Sequence, residues 1–206
     1  MKLYSFTGAC ALAPHIALEW AGADYALELV KRSATREPEF LKLNPVGKVP
    51  VLTLDDGTVL TEVNAILLWI AEKWPDAKLG YDDSETGRFE MRKWLAEFNG
   101  DIHPAFTPYF LTFRFAESDD AQAQVKASAA GEVDFQLSIV ERHMEGRDWM
   151  LGDRRSVLDA YLMVFCNWAR FMPKPLDQYP NLNAFTGRMA ADAGVQSAMK
   201  AQGLIK

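Results

Sequence analysis

The sequence predicts an α/β domain followed by an all-α helical bundle, and three observations carry that expectation. Up to about Pro75, strand-like and helix-like segments alternate. From Ser84 onward strand signals stop and long helical periodicities take over. Between them, at Trp74-Pro75-Asp76-Ala77-Lys78-Leu79-Gly80, both patterns break, and Tyr81–Ser84 carries turn-forming residues that read as a linker. The boundaries fall at 1–80 and 85–206, and a chain of 206 residues suits two small domains sharing an interface.

Strand signals fall at Lys2–Phe6, Tyr25–Val30, Val49–Leu54 and Thr58–Leu60, with Asp55-Asp56-Gly57 as a hairpin turn between the last two. Helical patterns cover Ala11–Ala21, Pro38–Leu43 and Glu62–Lys73. The order βαβ, α, ββ, α describes a small mixed sheet with helices on its faces. Lys31–Glu37 is charged and polar and reads as a surface loop. In the second half, Glu85–Phe115 is one amphipathic region that Pro104 and Pro108 bend or break. Val133, Leu137, Val140 and Met144 share one face of a helix over Ala121–Glu145. Helices at Val157–Phe171, Asn181–Ala191 and from Val195 onward complete the bundle.

Composition narrows the partners. Hydrophobic residues make up 49%, enough for a core, and the formal net charge of −6 argues against non-specific nucleic-acid binding. No apolar run is long enough for a membrane span, and no signal-peptide pattern opens the chain, so a cytoplasmic location is expected. Cys10 and Cys166 stand without CxxC or metal-ligand spacing, which fits a reducing compartment and implies no metal.

Three stretches carry candidate chemistry. In Ser5-Phe6-Thr7-Gly8-Ala9-Cys10-Ala11-Leu12-Ala13-Pro14-His15, Cys10 sits where a strand hands over to a helix N-terminus. It is either a small packed residue at a turn or a thiol whose thiolate the helix dipole and free N–H groups favour. Asn44-Pro45-Val46-Gly47-Lys48-Val49-Pro50 is a turn entering a strand. Its Val49–Pro50 bond is either an ordinary trans junction or a cis bond presenting the Val49 backbone to an extended ligand. In Thr61-Glu62-Val63-Asn64, Thr61 is placed to cap a helix, with Glu62 in its first turn. Glu62 then either offsets the dipole as a surface carboxylate or belongs to an anion site with the N–H groups of Val63 and Asn64.

Taken together and in this order, the stretches resemble those of the cytosolic glutathione S-transferases, most closely the bacterial Beta class. The resemblance spans essentially the whole chain. It includes Pro14-His15-Ile16-Ala17-Leu18 after Cys10, Leu60-Thr61-Glu62, the buried capping box Ser156-Val157-Leu158-Asp159-Ala160-Tyr161, and Gly203-Leu204-Ile205-Lys206.

The resemblance implies a thioredoxin-like N-terminal domain that binds glutathione, a helical domain that forms an electrophile pocket, and a homodimer. Glutathione is then a co-substrate, and no cofactor is permanently bound. Cys10 matches the class's cysteine beside the glutathione sulfur. Val49, ahead of Pro50, pairs with the cysteinyl backbone, flanked by Lys48. Glu62 and the N–H of Val63 hold the γ-glutamyl end, although the wider family has serine where Val63 stands. His103 matches a histidine reaching the sulfur from the helical domain; read alone, it is a helix-end histidine or a site residue. Trp168 matches a wall of the electrophile pocket.

Two departures lie nearby: Ala96 where the class has an asparagine and Pro104 where it has a lysine, with Asn99 standing in for the missing amide. Arg32 and Arg36 occupy the loop expected to meet the glycyl carboxylate. His15 is expected beside the site or facing solvent, His143 at a helix end offsetting the dipole, and Cys166 in packing.

The expected activity is conjugation of the glutathione thiol to small hydrophobic electrophiles, or thiol-disulfide exchange at Cys10. Alternatives on the same fold are a non-catalytic ligand-binding or regulatory protein, and a glutathione-dependent dehalogenase or isomerase.

Overall fold

A computed structural model describes residues 1–81 and 84–206. The expected linker over Tyr81–Ser84 therefore lies partly outside the described residues.

The N-terminal half is built from β1 (Lys2–Ser5), α1 (Leu12–Ala21), β2 (Ala26–Leu29), α2 (Pro38–Leu43), β3 (Val51–Thr53), β4 (Val59–Thr61) and α3 (Val63–Lys73). The strands form one mixed sheet in the order β2-β1-β3-β4. β1 pairs in parallel with β2 across the α1 crossover, and antiparallel with β3, where Leu3 faces Leu52. The β3–β4 hairpin turns through Gly57 at φ 88°, a conformation that suits glycine.

Alternation along β1 divides the apolar material between two faces. Leu3 and Leu52 pack with Leu12, Ile16, Ile66 and Ile70 of α1 and α3. On the opposite face Tyr4 meets Val51, Val49 and Phe40 in a smaller cluster under α2, with the Tyr4 and Phe40 rings edge to face at 6.2 Å.

The C-terminal half contains α4 (Glu85–Glu97), α5 (His103–Phe110), α6 (Asp119–His143), α7 (Val157–Ala169), α8 (Pro180–Ala191) and α9 (Ala193–Ala201). Every residue of α7 except Trp168 is buried, as expected for a helix apolar on all sides. Its start is the expected capping box. Asp159 accepts from the Ser156 N–H at 2.7 Å and the Met150 N–H at 2.8 Å, and the Ser156 hydroxyl accepts from the Leu158 N–H at 3.3 Å.

One core runs through both halves, because α1 packs directly on α7 and α9. Polar ties reinforce the seam. The Trp20 indole donates to Asp192 at 2.7 Å, and the Arg155 guanidinium meets the other Asp192 oxygen at 2.5 Å.

Several local expectations need correction. Lys31–Glu37 is no plain loop, since Arg32–Arg36 form a 3-10 turn and Thr35 is buried. Gly47, at φ 64°, lies so close that a Cβ there would stand 2.8 Å from the Thr35 carbonyl oxygen. The break in the Glu85–Phe115 region precedes Pro104: a π-helical turn over Phe98–Ile102 separates α4 from α5, and Pro104 sits in the first turn of α5. Thr61 does not cap α3. Glu62 takes the N-cap position at φ 69°, with no side-chain cap.

Candidate functional site

The turn after β1 carries the first component. Gly8, at φ 81°, reverses the chain, the Ala9 N–H closes the turn on the Phe6 carbonyl at 3.0 Å, and Cys10 precedes the α1 N-cap, Ala11. The Val49–Pro50 bond is cis. The Val49 carbonyl accepts a hydrogen bond from the Cys10 thiol at 3.6 Å, joining the first and second candidate stretches. The loop before Val49 is held by Asn44, whose amide donates to the Lys48 carbonyl at 2.8 Å and whose side-chain oxygen accepts from the Val46 N–H at 3.1 Å.

Cys10 behaves differently from a helix-activated thiolate. Burial pushes its thiol up to about 12, against the smaller opposing effects of its own and Ala11's backbone N–H groups and of Lys48, while Glu62 pushes the same way as burial. The expected help from free backbone N–H groups is present and loses. At neutral pH the free protein carries a neutral Cys10 that donates a hydrogen bond.

The third stretch supplies Glu62, exposed, and Val63, whose side chain is buried in the core. Valine where the family has serine therefore leaves the backbone N–H of the α3 first turn as this residue's polar contribution. Asn64 turns the other way and donates to the Leu95 carbonyl of α4 at 2.8 Å.

The helical half meets this turn through Trp168, and His103 packs behind that ring. Trp168 donates its indole N–H to the Gly8 carbonyl at 2.8 Å. His103, first residue of α5, packs 5.0 Å from the Trp168 ring, and its Nδ1 lies 2.7 Å from the Tyr161 hydroxyl. Burial, with the Lys48 charge adding to it, lowers the His103 pKa to about 4, so the ring is neutral at physiological pH. Burial raises the Tyr161 pKa, and Glu62 and Cys10, were it ionised, push the same way. Cys10, Lys48, Val49, Glu62, His103 and Tyr161 thus belong to one electrostatic neighbourhood.

Beyond Trp168 lies an aromatic wall. Phe106 stacks on Phe110 at 6.1 Å, Trp168 meets Phe106 at 5.4 Å and Phe110 at 6.2 Å, and exposed Phe171 lies 6.3 Å from Phe110. Sequence reading singled out Trp168 alone. The i, i+4 pair Phe106/Phe110 and the i, i+7 pair Tyr161/Trp168 were the available signals.

Other candidates lie elsewhere or serve structure. Asn99 is exposed on the π-helical turn, and no hydrogen bond among the described residues ties it to Cys10 or His103. Ala96 and Pro104 are exposed. Arg36 donates to the Val46 carbonyl at 3.2 Å, and Arg32 lies 5.8 Å above the Phe6 ring.

His15 does not face solvent. It is buried, its Nδ1 accepts from the Gln202 amide at 2.9 Å, and burial lowers its pKa to about 4. His143 is no dipole-offsetting cation. Burial lowers its pKa, and the ring binds the Met150 carbonyl at 2.8 Å and packs 4.3 Å from Trp94. Cys166 is buried packing, as expected, and both cysteines are free thiols.

Family models for the N-terminal and C-terminal domains of glutathione S-transferase match residues 7–73 and 101–193. The chain belongs to the glutathione S-transferase family. It is 38% identical over 204 residues to glutathione S-transferase GST-4.5 of Xanthomonas campestris pv. campestris, covering 99% of this chain and 100% of that protein. Among solved structures, a sphingomonad glutathione S-transferase complexed with glutathione matches with 39% identity and a TM-score of 0.88, covering all of both chains. A Beta-class enzyme of Sphingomonas chungbukensis matches with 38% identity and a TM-score of 0.89, again over all of both chains. The thioredoxin-like expectation for the sheet half and the helical expectation for the second half both hold for this transferase. No described helix is long and apolar enough to cross a membrane.

Proposed function

We propose that this glutathione transferase holds glutathione in the cradle of Cys10, Val49, Glu62 and the Val63 N–H, and conjugates the glutathione sulfur to small hydrophobic electrophiles. The sheet half, 1–80, supplies the glutathione cradle, and the helical half, 85–206, supplies the electrophile wall. The observation that carries the reading is the convergence of the Cys10 thiol on the Val49 carbonyl at 3.6 Å, in a turn covered by Trp168.

The chemistry follows from the groups present. Val49 offers backbone hydrogen-bonding groups to the cysteinyl unit of an extended peptide. The uncapped first turn of α3 faces the γ-glutamyl carboxylate with N–H groups and the positive end of the helix dipole, and Glu62 beside it suits the ammonium group. Lys48 lies where the electropositive side of the site begins. Cys10, a neutral thiol in the free protein, donates a hydrogen bond to the glutathione sulfur and supports its thiolate. His103 approaches that sulfur from α5. Asn99 serves as the polar residue at the mouth, one turn before His103. Trp168, Phe110 and Phe171, backed by the buried Phe106, form the side on which an apolar electrophile docks.

The neutral Cys10 favours conjugation by glutathione's own sulfur over nucleophilic attack by Cys10. Two copies pair as a homodimer, and exposed Phe89 on α4 gives the helical half an apolar point for the contact.

Calorimetric titration with glutathione, paired with an assay of conjugation to an aromatic chloronitro electrophile, tests the reading. Saturable 1:1 binding per chain together with turnover is expected. Absence of glutathione binding overturns the reading in favour of a carrier of another ligand.

A further inference from the structure

We propose that Tyr161 is a positioning residue that fixes the tautomer of His103, so that His103 meets the bound sulfur as an Nε2–H hydrogen-bond donor and not as a base. The inference deepens the conjugation reading and rests on it for the identity of the sulfur.

The donor and acceptor inventory decides the tautomer. Tyr161 is fully buried on α7, and its hydroxyl makes one hydrogen bond among the described residues, at 2.7 Å to His103 Nδ1. The hydroxyl carries one proton, and a neutral imidazole carries one proton on either of its two nitrogens. If Nδ1–H donated to the tyrosine oxygen, the tyrosine proton would have no acceptor among the described residues, on a buried side chain whose ring is flanked by Phe98 and Phe165 at 5.6 and 4.7 Å. A buried donor without an acceptor is the costly outcome. If Tyr161 donates to Nδ1, both groups are satisfied, and the ring proton resides on Nε2.

The surroundings hold this arrangement in place. Tyr161 and Trp168 stand two turns apart on α7, and the imidazole lies against both rings, at 6.1 and 5.0 Å. The low pKa of His103 keeps the ring neutral at working pH, so the single-proton inventory applies. In an imidazole the two nitrogens point away from each other, so anchoring Nδ1 on Tyr161 directs Nε2 out of the α7 packing surface. Lys48, whose charge acts on both Cys10 and His103, ties the ring to the neighbourhood of the thiol. A sulfur docked there receives two donors, the Cys10 S–H and the His103 Nε2–H, and its own proton is lost to water without passing through the imidazole.

Nitrogen NMR on the full-length protein, uniformly labelled with 15N and free of ligand, tests the tautomer, with His103→Gln used to assign the resonances. At neutral pH the His103 Nδ1 is expected to be pyridine-like and Nε2 pyrrole-like. In Tyr161→Phe the two are expected to move toward each other as the tautomers mix. A pyrrole-like Nδ1 in the wild type overturns the proposal, whether or not the variant folds.

Kinetics test the consequence: Tyr161→Phe lowers kcat for conjugation roughly tenfold, with the glutathione KM changed by less than about twofold. It is expected to have no further effect in a His103→Gln background. An equal loss in both backgrounds assigns Tyr161 a purely structural role and overturns the proposal. The NMR readout needs no turnover. If the enzyme conjugates nothing, the functional reading fails while the tautomer result stands on its own.

Discussion

The indole N–H of Trp168 donates to the carbonyl oxygen of Gly8 at 2.8 Å, linking positions 160 residues apart. This bond fixes the height of the helical half above the Cys10 turn. The chain reversal at Gly8 leaves that carbonyl pointing out of the sheet half, and Trp168, the one residue of α7 that is not buried, reaches it.

Trp168→Phe keeps an aromatic ring and removes the donor. It is expected to cost about 1–2 kcal/mol of stability by denaturant unfolding. Titration is expected to show glutathione affinity reduced several-fold, because the Cys10 turn is less firmly placed.

Glu62→Gln tests the γ-glutamyl end. Glu62 is exposed and forms no side-chain cap, so its loss is nearly silent in thermal unfolding. The glutathione KM is expected to rise about tenfold with kcat within about twofold, the signature of lost uniform binding. An unchanged KM places the γ-glutamyl group elsewhere.

His15 gives the fold a defined acid sensitivity. Its pKa falls from 6.5 unfolded to about 4 folded, so between those values the unfolded chain binds more protons. The stabilisation is complete above pH 6.5 and is lost as pH falls toward 4, on the order of 3 kcal/mol in total. Asp159 acts in the opposite sense. Burial raises its pKa from 3.8 to about 6, so its contribution falls as pH rises through that window. Comparison of wild type with His15→Gln isolates the histidine: the difference in unfolding free energy between them is expected to shrink as pH drops from 6.5 to 4.

Asp159→Ala removes the acceptor for the Met150 and Ser156 N–H groups inside the core. Three buried donors, these two N–H groups and the Ser156 hydroxyl, lose their partner at once. An expected destabilisation of about 2–4 kcal/mol is measurable by urea unfolding, with Asp159→Asn intermediate.

Much of this was legible in the sequence wherever cause and effect lie close together in the chain. Helix α2 ends where expected, at Pro38 and Leu43, because a proline suits its first turn and Asn44-Pro45 stops it. The Asp55-Asp56-Gly57 hairpin and the Ser156/Asp159 capping box are local too.

What escaped depends on distant partners. Glu62 displaced Thr61 as the cap because the chain enters α3 with a positive φ that no local pattern announced. The solvent-facing alternative for His15 fails because its partner, Gln202, stands 187 residues away. The thiolate expectation for Cys10 counted the helix dipole and omitted desolvation, a quantity that exists only after the halves close. Tyr161 was not singled out because His103 approaches it from another helix.

The most direct test of the sulfur site replaces Cys10 with alanine and measures two activities of the same protein: glutathione conjugation to an aromatic electrophile, and reduction of a glutathione mixed disulfide. A neutral, hydrogen-bonding Cys10 predicts that conjugation falls but stays within roughly tenfold of wild type, while mixed-disulfide reduction is slight in the wild type and no lower in the variant. Substantial disulfide reduction in the wild type that disappears with Cys10 would make Cys10 a redox nucleophile and contradict the account, and conjugation left wholly unchanged would put the sulfur somewhere other than beside Cys10.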